Sequence, residues 1–288
     1  GAIGTSIAKV FDMTVAASGL PAKRLKQAGI DYLSATIHSG SHAGYYPDAL
    51  QMSIKITFSP ADGKLLGAQI VGYSGVDKRI DEFSQVIKHS GTVYDLMALE
   101  QAYAPPFSSA KDPVAVTGYV AGNILNGKMQ PLYWRELQAA DWSKVTLVDV
   151  RTPDEFALGA LKGAVNIPLD DMRDRMKEIP RDKPVYLYCG VGLRGYLASN
   201  ILLQNGYQEV KNLIGGLKLY KAATTPLPEP KEFSNSGSSS SDSSKVDHSE
   251  HSKDSAEAYT IASSVIPSMR AIKVDACGIS CPGPIMKL

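Results

Sequence analysis

The sequence has little cysteine, almost no net charge and no long apolar run. Only three of its 288 residues are cysteine, too few and too clustered for the disulfide framework of a small secreted domain. Thirty Lys and Arg face 29 Asp and Glu, so the net charge of +1 offers no basic field for nucleic acid or acidic lipid. No apolar run of about 18 residues and no secretory leader is apparent. These absences predict a cytoplasmic protein without nucleic-acid or membrane partners.

Two further expectations concern what the chain does not contain. It opens at Gly1 without an initiator Met and stops at Leu288, in what reads as the start of a folded unit. We therefore expect it to be a fragment of a longer protein. We also expect no dinucleotide-binding fingerprint, and hence no FAD or NAD(P)H bound by this fragment itself.

A change of composition divides the chain near its end. Residues 234–255 hold 11 serines in 22 positions, a composition that cannot bury enough apolar surface to offset its ordering entropy. The sequence therefore predicts a disordered, Ser-rich flexible linker over residues 223–263. The remaining residues 268–288 are too few for a core of their own.

Hydrophobic patterning predicts an α+β domain over residues 1–126. A Pro/Asp/Gly cluster at residues 59–64 indicates a hairpin between two strands. The strands are predicted at Ala8–Phe11, Tyr32–His38, Met52–Phe58 and Leu65–Gly72. Helices are predicted at Val76–His89 and Asp112–Leu125.

Residues 129–222 follow a different pattern, in which short apolar strands alternate with amphipathic helices. This alternation predicts an α/β domain whose parallel sheet is covered on both faces. Strands are predicted at Val145–Val150, Val165–Ile167, Pro184–Tyr188 and Leu213–Ile214. Helices are predicted at Pro153–Leu158, Asp170–Ile179 and Gly195–Asn205.

The segment around Cys189 carries the chemistry of this domain. An apolar strand ends at the cysteine, a loop with Gly190 and Gly192 follows, and a helix begins near Gly195. The positive end of a helix favours thiolate over thiol, and glycines let several N–H groups turn inward around an anion. Arg194 adds a permanent cation. We therefore predict a nucleophilic thiolate inside an anion cradle formed by Gly190, Val191, Gly192, Leu193 and Arg194.

Four motifs in this domain resemble the rhodanese family. They are Asp149–Phe156, Gly163–Pro168, the loop Cys-x-x-Gly-x-Arg from Cys189 to Arg194, and Asn212–Gly216. The resemblance implies that Cys189 accepts a sulfane sulfur as a persulfide and passes it to an acceptor. It also places Arg151 and Glu155 beside the loop, where we expect them to form a structural ion pair. A phosphatase-like reading stays open, although phosphatases place five residues between Cys and Arg whereas four intervene here.

The first domain resembles the dimerisation domain of flavin-dependent pyridine nucleotide-disulfide oxidoreductases, and most closely the coenzyme A disulfide reductase branch. The resemblance rests on Gly4–Phe11, Asp77–Asp81 and Tyr103–Ser108. It implies a homodimer, FAD and NAD(P)H in the intact protein, and small substrates such as coenzyme A or glutathione persulfide. It also implies that Tyr45 and Tyr103 enter the partner subunit's active site.

The tail from Val274 to Pro284 resembles the small sulfur-carrier proteins of the TusA/SirA type. Cys281 matches their sulfur-bearing thiol, whereas Cys277 receives no role. A disulfide between the two, or a zinc site shared with His248 and His251, are open alternatives, but we predict no metal site.

Together these features predict part of a persulfide, polysulfide or coenzyme A disulfide reductase with a fused sulfurtransferase domain. The alternative is a non-catalytic sulfur-carrier and dimerisation module that delivers sulfur to partners.

Overall fold

The structure is a computed structural model that describes residues 2–226. Most of the predicted linker at 223–263 and all of the tail at 268–288, with Cys277 and Cys281, lie outside the described residues. Of the helices in the described part, none is long and apolar enough to cross a membrane.

The first half of the described chain forms a five-stranded antiparallel sheet covered by helices. Its strands follow the spatial order β1-β2-β5-β4-β3. They are β1 (Ser6–Val10), β2 (Met13–Gly19), β3 (Leu33–Gly40), β4 (Gln51–Phe58) and β5 (Leu65–Gly72). The helices are α1 (Ala22–Gln27), α2 (Val76–Lys88), α3 (Val93–Ala98) and α4 (Pro113–Leu125). The predicted hairpin between β4 and β5 is present, closed by a hydrogen bond from Ser59 N to Lys64 O.

The hairpin formed by β1 and β2 differs from the prediction. Val10 pairs with Met13, so Phe11 and Asp12 form a two-residue turn and the strand ends before Phe11. Phe11 has a φ of +52°, a left-handed conformation that removes it from the strand. Strand β2 itself was not predicted, because its second half, residues 16–19, consists of small residues that give a weak strand signal.

The second half forms a five-stranded parallel sheet in the order β6-β10-β9-β7-β8. The parallel sheet was predicted, whereas the order of its strands was not. The strands are β6 (Gln130–Leu132), β7 (Thr146–Asp149), β8 (Val165–Asn166), β9 (Val185–Tyr188) and β10 (Val210–Leu213). The helices are α5 (Trp134–Ala139), α6 (Pro153–Ala157), α7 (Met172–Arg175), α8 (Leu193–Gln204) and α9 (Gly216–Thr224). Strand β6 and helices α5 and α9 were not predicted.

Apolar side chains cover both faces of this parallel sheet. On one face Leu187 and Cys189 pack with Ala198 and Leu202 of α8. On the other face Tyr188 belongs to a cluster with residues of α5 and α9. The alternation of β9 therefore sends Cys189 and Tyr188 to opposite faces.

The helix predicted over Asp170–Ile179 is interrupted. Only Met172–Arg175 is α-helical, with 3-10 turns at Leu169–Asp171 and Met176–Glu178. Pro168 and Pro180 bound this segment, and 3-10 turns are frequent at the ends of short helices.

A buried ion pair fixes the loops at one edge of the antiparallel sheet. Arg79 on α2 is fully buried and its Nη2 lies 2.9 Å from Asp112 Oδ2. The same guanidinium donates to the carbonyl oxygens of Gly75 and Ser41, each at 2.9 Å. Ser108 Oγ donates to Asp112 Oδ2 at 2.6 Å. Burial alone raises the pKa of the Asp112 carboxyl, but the hydrogen bonds from Ser108, Arg79 and Val114 N–H outweigh it and hold that pKa below its ordinary value.

Replacing Arg79 leaves a buried carboxylate without its counter-ion. We expect Arg79→Met to lower the free energy of unfolding by about 3–5 kcal/mol, the usual cost of breaking a buried pair on one side. Chemical denaturation at neutral pH measures this loss, and Lys78→Met, at an exposed position of the same helix, is the matched control. Equal unfolding midpoints for the two variants would contradict the prediction.

Candidate active site

Cys189 lies at the carboxyl end of β9, directly before the loop that opens α8. Its residue is only 1% exposed, and its Sγ accepts the N–H of Gly192 at 3.1 Å. This N–H is available because Gly192 adopts a φ of +116°, a conformation that a side chain disfavours. A hydrogen bond donated to sulfur stabilises negative charge there.

The first turn of α9 supports the loop through backbone hydrogen bonds. Leu217 N donates to Cys189 O at 2.8 Å and Lys218 N donates to Gly190 O at 3.0 Å. Gly216 has a φ of +59°, and a Cβ there would lie 2.6 Å from Cys189 O, Gly190 O and Val191 N. Only glycine fits at this position, so α9 and the cysteine loop approach each other backbone to backbone.

Asn212 holds the other side of the loop. Its Nδ2 donates to Gly192 O at 3.0 Å and lies 3.3 Å from Met129 Sδ. A Cβ at Gly195 would collide with Asn212 Oδ1, so α8 also needs a glycine in its first turn. Asn212 and Gly216 were part of a recognised motif but were not predicted as site residues, because their support of the loop is a long-range contact.

The predicted ion pair between Arg151 and Glu155 is wrong. Arg151 pairs with buried Asp149, with Nη2 2.6 Å from Oδ2, and also donates to Gly159 O. Asp149 takes precedence because it lies only two residues away at the buried end of β7. Glu155 therefore stays free of Arg151 and pairs with Arg194 of the loop.

Glu155 and Arg194 form a bidentate ion pair, in which two nitrogens of the guanidinium contact the two oxygens of the carboxylate. Arg194 Nη1 lies 2.6 Å from Glu155 Oε2, and Nη2 lies 2.7 Å from Oε1. The hydrogen bonds from Arg194, with those from Thr152, lower the pKa of Glu155 to about 2. The predicted Arg194 cation is thus present in the loop, but it is paired with the Glu155 carboxylate.

The pH dependence of this pair follows from the lowered pKa. The stabilisation that Glu155 contributes is complete above its ordinary pKa of 4.5 and is lost as pH falls from there towards about 2. The pair therefore persists throughout the neutral range.

Tyr45 and Tyr103 lie together, although 58 positions separate them in sequence. Their hydroxyl oxygens are 2.9 Å apart, and the Tyr45 residue is 77% exposed. Their loops are joined by a hydrogen bond from Ala43 N to Ser108 O and by Arg79, which contacts both. The hydrogen bond with Tyr45 raises the pKa of the Tyr103 phenol above its ordinary value. Within residues 2–226 no hydrogen bond links either tyrosine to the cysteine loop.

The expectation that no dinucleotide-type glycine spacing is present was wrong. Residues 190–195 read Gly-x-Gly-x-x-Gly, after strand β9 and at the start of α8. A dinucleotide site also needs an acidic residue at the carboxyl end of the next strand to bind the ribose. Here Glu209 precedes β10 and so lies at the opposite edge, while the Gly192 N–H is taken by Cys189 Sγ. The loop at 190–195 therefore fits neither FAD nor NAD(P)H.

The other predicted sites fall outside the described residues. These are the proposed sulfur carrier Cys281 and the alternative metal ligands Cys277, His248 and His251. Among residues 2–226, no cluster of three or more His, Cys, Asp or Glu is suited to hold a metal ion.

The close approach at Gly216 generates the first prediction for this site. Gly216→Ala and Gly127→Ala both place a Cβ at positive φ, which costs about 1–2 kcal/mol each. Gly127 has no atom within 4 Å of that Cβ, whereas Gly216 meets the loop backbone. We expect Gly216→Ala to be the less stable of the two in denaturant unfolding and to have the less reactive Cys189. Equal stability and equal thiol reactivity would contradict the contact.

The tyrosine pair generates the second prediction. We expect Tyr45→Phe to lower the pKa of Tyr103 towards its ordinary value of 10.0, because the hydrogen bond that raises it is lost. A pH titration of ¹³Cζ-labelled tyrosine by NMR measures this change. Tyr46→Phe is the control, because the ring of Tyr46 packs against His42 rather than on Tyr103. An unchanged Tyr103 titration in Tyr45→Phe would show that the pair does not form.

Comparison with known proteins agrees with this architecture. The model of the pyridine nucleotide-disulphide oxidoreductase dimerisation domain matches residues 5–114, and that of the rhodanese-like domain matches residues 133–223. Coenzyme A disulfide reductase of Staphylococcus haemolyticus is 40% identical over 124 residues, which are 43% of this chain and 28% of that protein.

Two solved structures extend the similarity across both domains. Reduced CoADR-RHD of Bacillus anthracis is 49% identical with a TM-score of 0.74, and an NAD-dependent persulfide reductase from A. fulgidus is 36% identical with a TM-score of 0.69. Each match covers 76% of this chain and 39% of the other, so the chain spans well under half of these relatives. The chain therefore contains a pyridine nucleotide-disulphide oxidoreductase dimerisation domain, similar to that of coenzyme A disulfide reductases, followed by a rhodanese-like domain.

Proposed function

We propose that this chain belongs to a reductase of persulfides, polysulfides or coenzyme A disulfide, in which Cys189 transfers sulfane sulfur. In this proposal residues 1–126 form the dimerisation domain and residues 129–222 the sulfurtransferase domain. The names of the relatives support it, since one is a coenzyme A disulfide reductase and another an NAD-dependent persulfide reductase. FAD and NAD(P)H would be bound by other parts of such a protein, because the Gly-x-Gly-x-x-Gly loop of this chain surrounds a thiol.

The observation that carries the sulfur-transfer step is the Cys189 sulfur with an N–H donor at 3.1 Å, in a loop between a strand and a helix. The thiolate attacks the outer sulfur of a persulfide, R–S–S–H. A new S–S bond forms at Cys189 while the donor S–S bond breaks and R–S⁻ leaves with the electron pair. No net electron enters or leaves, because the sulfane sulfur only changes carrier.

The backbone of the loop holds the product of this step. A Cys189 persulfide places its negative charge one atom beyond Sγ, where N–H groups of a glycine-rich turn can point inward. Carbonyl oxygens of Cys189 and Gly190 are already occupied by α9, so they face away from that charge. The support from α9 therefore both positions the thiol and removes two competing dipoles.

The tyrosine pair has a separate role in this proposal. In a homodimer Tyr45 and Tyr103 would project into the partner subunit's active site and hydrogen-bond a thiolate or supply a proton to it. The exposure of the Tyr45 ring supports a role outside its own domain. The mutual hydrogen bond supports a role for the two phenols together.

The alternative function is a non-catalytic sulfur-carrier and dimerisation module. This function would need only a dimerisation domain and a thiol that can carry a sulfane sulfur. The two functions differ in NAD(P)H consumption by the intact protein with a persulfide substrate, which only the reductase would show.

We expect brief treatment of the chain with glutathione persulfide to add one sulfur atom to Cys189, because this thiol alone lies in the described loop. Intact mass and peptide mapping measure the addition, which a thiol reductant should reverse. A second sulfur on Cys281 would support the predicted carrier role of the tail.

Cys189→Ser is the test variant, and the double variant Cys277→Ser/Cys281→Ser, which keeps the loop intact, is the matched control. Sulfur on Cys189 in the control and none at this position in Cys189→Ser supports the transfer step. A wild-type chain whose Cys189 takes up no sulfur from any donor would contradict it.

A further inference from the structure

We propose that Glu155 sets the donor specificity of Cys189, by neutralising Arg194 so that the loop accepts the persulfides of organic thiols and disfavours dianionic thiosulfate. This inference rests on the proposed sulfur transfer at Cys189 and names its donor class.

The charge of the site follows from two ion pairs. Arg194 is held by Glu155 through two hydrogen bonds of 2.6 and 2.7 Å. Arg151, which lies nearby in the same domain, is held by buried Asp149, and this carboxylate balances its charge. With Cys189 ionised, the group formed by Cys189, Arg194 and Glu155 has one net negative charge.

This charge acts differently on the two kinds of donor. Thiosulfate brings two negative charges and three sulfonate oxygens, but both Arg194 and Arg151 are already paired with carboxylates. Pantetheine persulfide brings at most one negative charge, located on the sulfur that is transferred. Since charges at a few ångströms interact strongly in a partly desolvated site, repulsion falls mainly on thiosulfate.

The surface around the loop is suited to the organic donor. Val191 is 38% exposed and Leu193 is 65% exposed, on either side of Gly192. Exposed apolar side chains next to a reactive group favour the arm of an organic thiol over a hydrated inorganic ion. The side chains at the mouth of the loop and the charge of the pair therefore favour the same donor.

The two transfers form the same S–S bond at Cys189 and differ only in the group that leaves the donor. With thiosulfate, Cys189–S⁻ attacks the sulfane sulfur, a Cys189 persulfide forms and sulfite leaves with the bonding pair. With pantetheine persulfide, the same S–S bond forms and pantetheine thiolate leaves. The same cysteine product therefore permits a direct comparison of rates.

The test measures the single-turnover rate of sulfur loading on Cys189 in the full chain, with thiosulfate and with pantetheine persulfide. We expect Glu155→Gln to raise the ratio of thiosulfate rate to persulfide rate about tenfold, because Arg194 is released to meet the sulfonate. Gln can still accept the Thr152 N–H that now goes to Glu155 Oε2, so the start of α6 is kept.

Two controls separate charge from structure. Asp154→Asn removes the neighbouring exposed carboxylate, which does not contact Arg194, and should leave the ratio unchanged. Glu155→Asp keeps the charge and should retain most of the discrimination.

A salt series tests the same charge effect. Raising the ionic strength from about 0.01 M to about 0.15 M shortens the screening length from about 30 Å to about 8 Å. It should speed thiosulfate loading in the wild type more than in Glu155→Gln.

The outcomes distinguish this inference from the function on which it rests. If the wild type takes sulfur from pantetheine persulfide but Glu155→Gln keeps the wild-type ratio within about twofold, the role of Glu155 is overturned while sulfur transfer stands. If neither donor loads Cys189 in the wild type, both proposals fall.

Discussion

The backbone-to-backbone contact between the first turn of α9 and the cysteine loop is the constraint on which the rest of the site depends. Leu217 and Lys218 donate their N–H groups to the carbonyls of Cys189 and Gly190, and Gly216 leaves no room for a side chain. These bonds occupy the loop carbonyls and so decide which way the remaining N–H groups face. The geometry around the Cys189 sulfur follows from a helix that begins 27 residues later in the chain.

Charge is the second determinant of the site, and it is balanced more finely than the residue types suggest. A loop with a cysteine and an arginine reads as an anion cradle, yet Arg194 is paired with Glu155 and Arg151 with Asp149. Such pairing keeps the permanent cations in place without leaving a net positive field. In our proposal, such a site favours a donor with little charge over a highly charged ion.

A similar arrangement exists in the domain with the antiparallel sheet, where buried Arg79 contacts the loops that carry Tyr45 and Tyr103. In both domains an arginine held by a carboxylate joins segments that are distant in sequence. The two arginines differ in burial: Arg79 is inaccessible, whereas Arg194 is partly exposed in the loop that follows Cys189. Burial therefore separates a residue that fixes loops from one that can influence a reaction.

The sequence by itself determined the two fold classes, the positions of most strands along the chain and the position of Cys189 between β9 and α8, because hydrophobic period and glycine placement are local properties. It did not determine β2, made of small residues, or the partners of Arg151 and Glu155. Nor did it show that the Gly-x-Gly-x-x-Gly spacing at 190–195 surrounds a thiol, with Glu209 at the wrong sheet edge for a dinucleotide. Ion-pair partners, the approach of Gly216 and the meeting of Tyr45 with Tyr103 were decided only by tertiary structure, since each joins residues whose distance in space is set by packing of the whole domain.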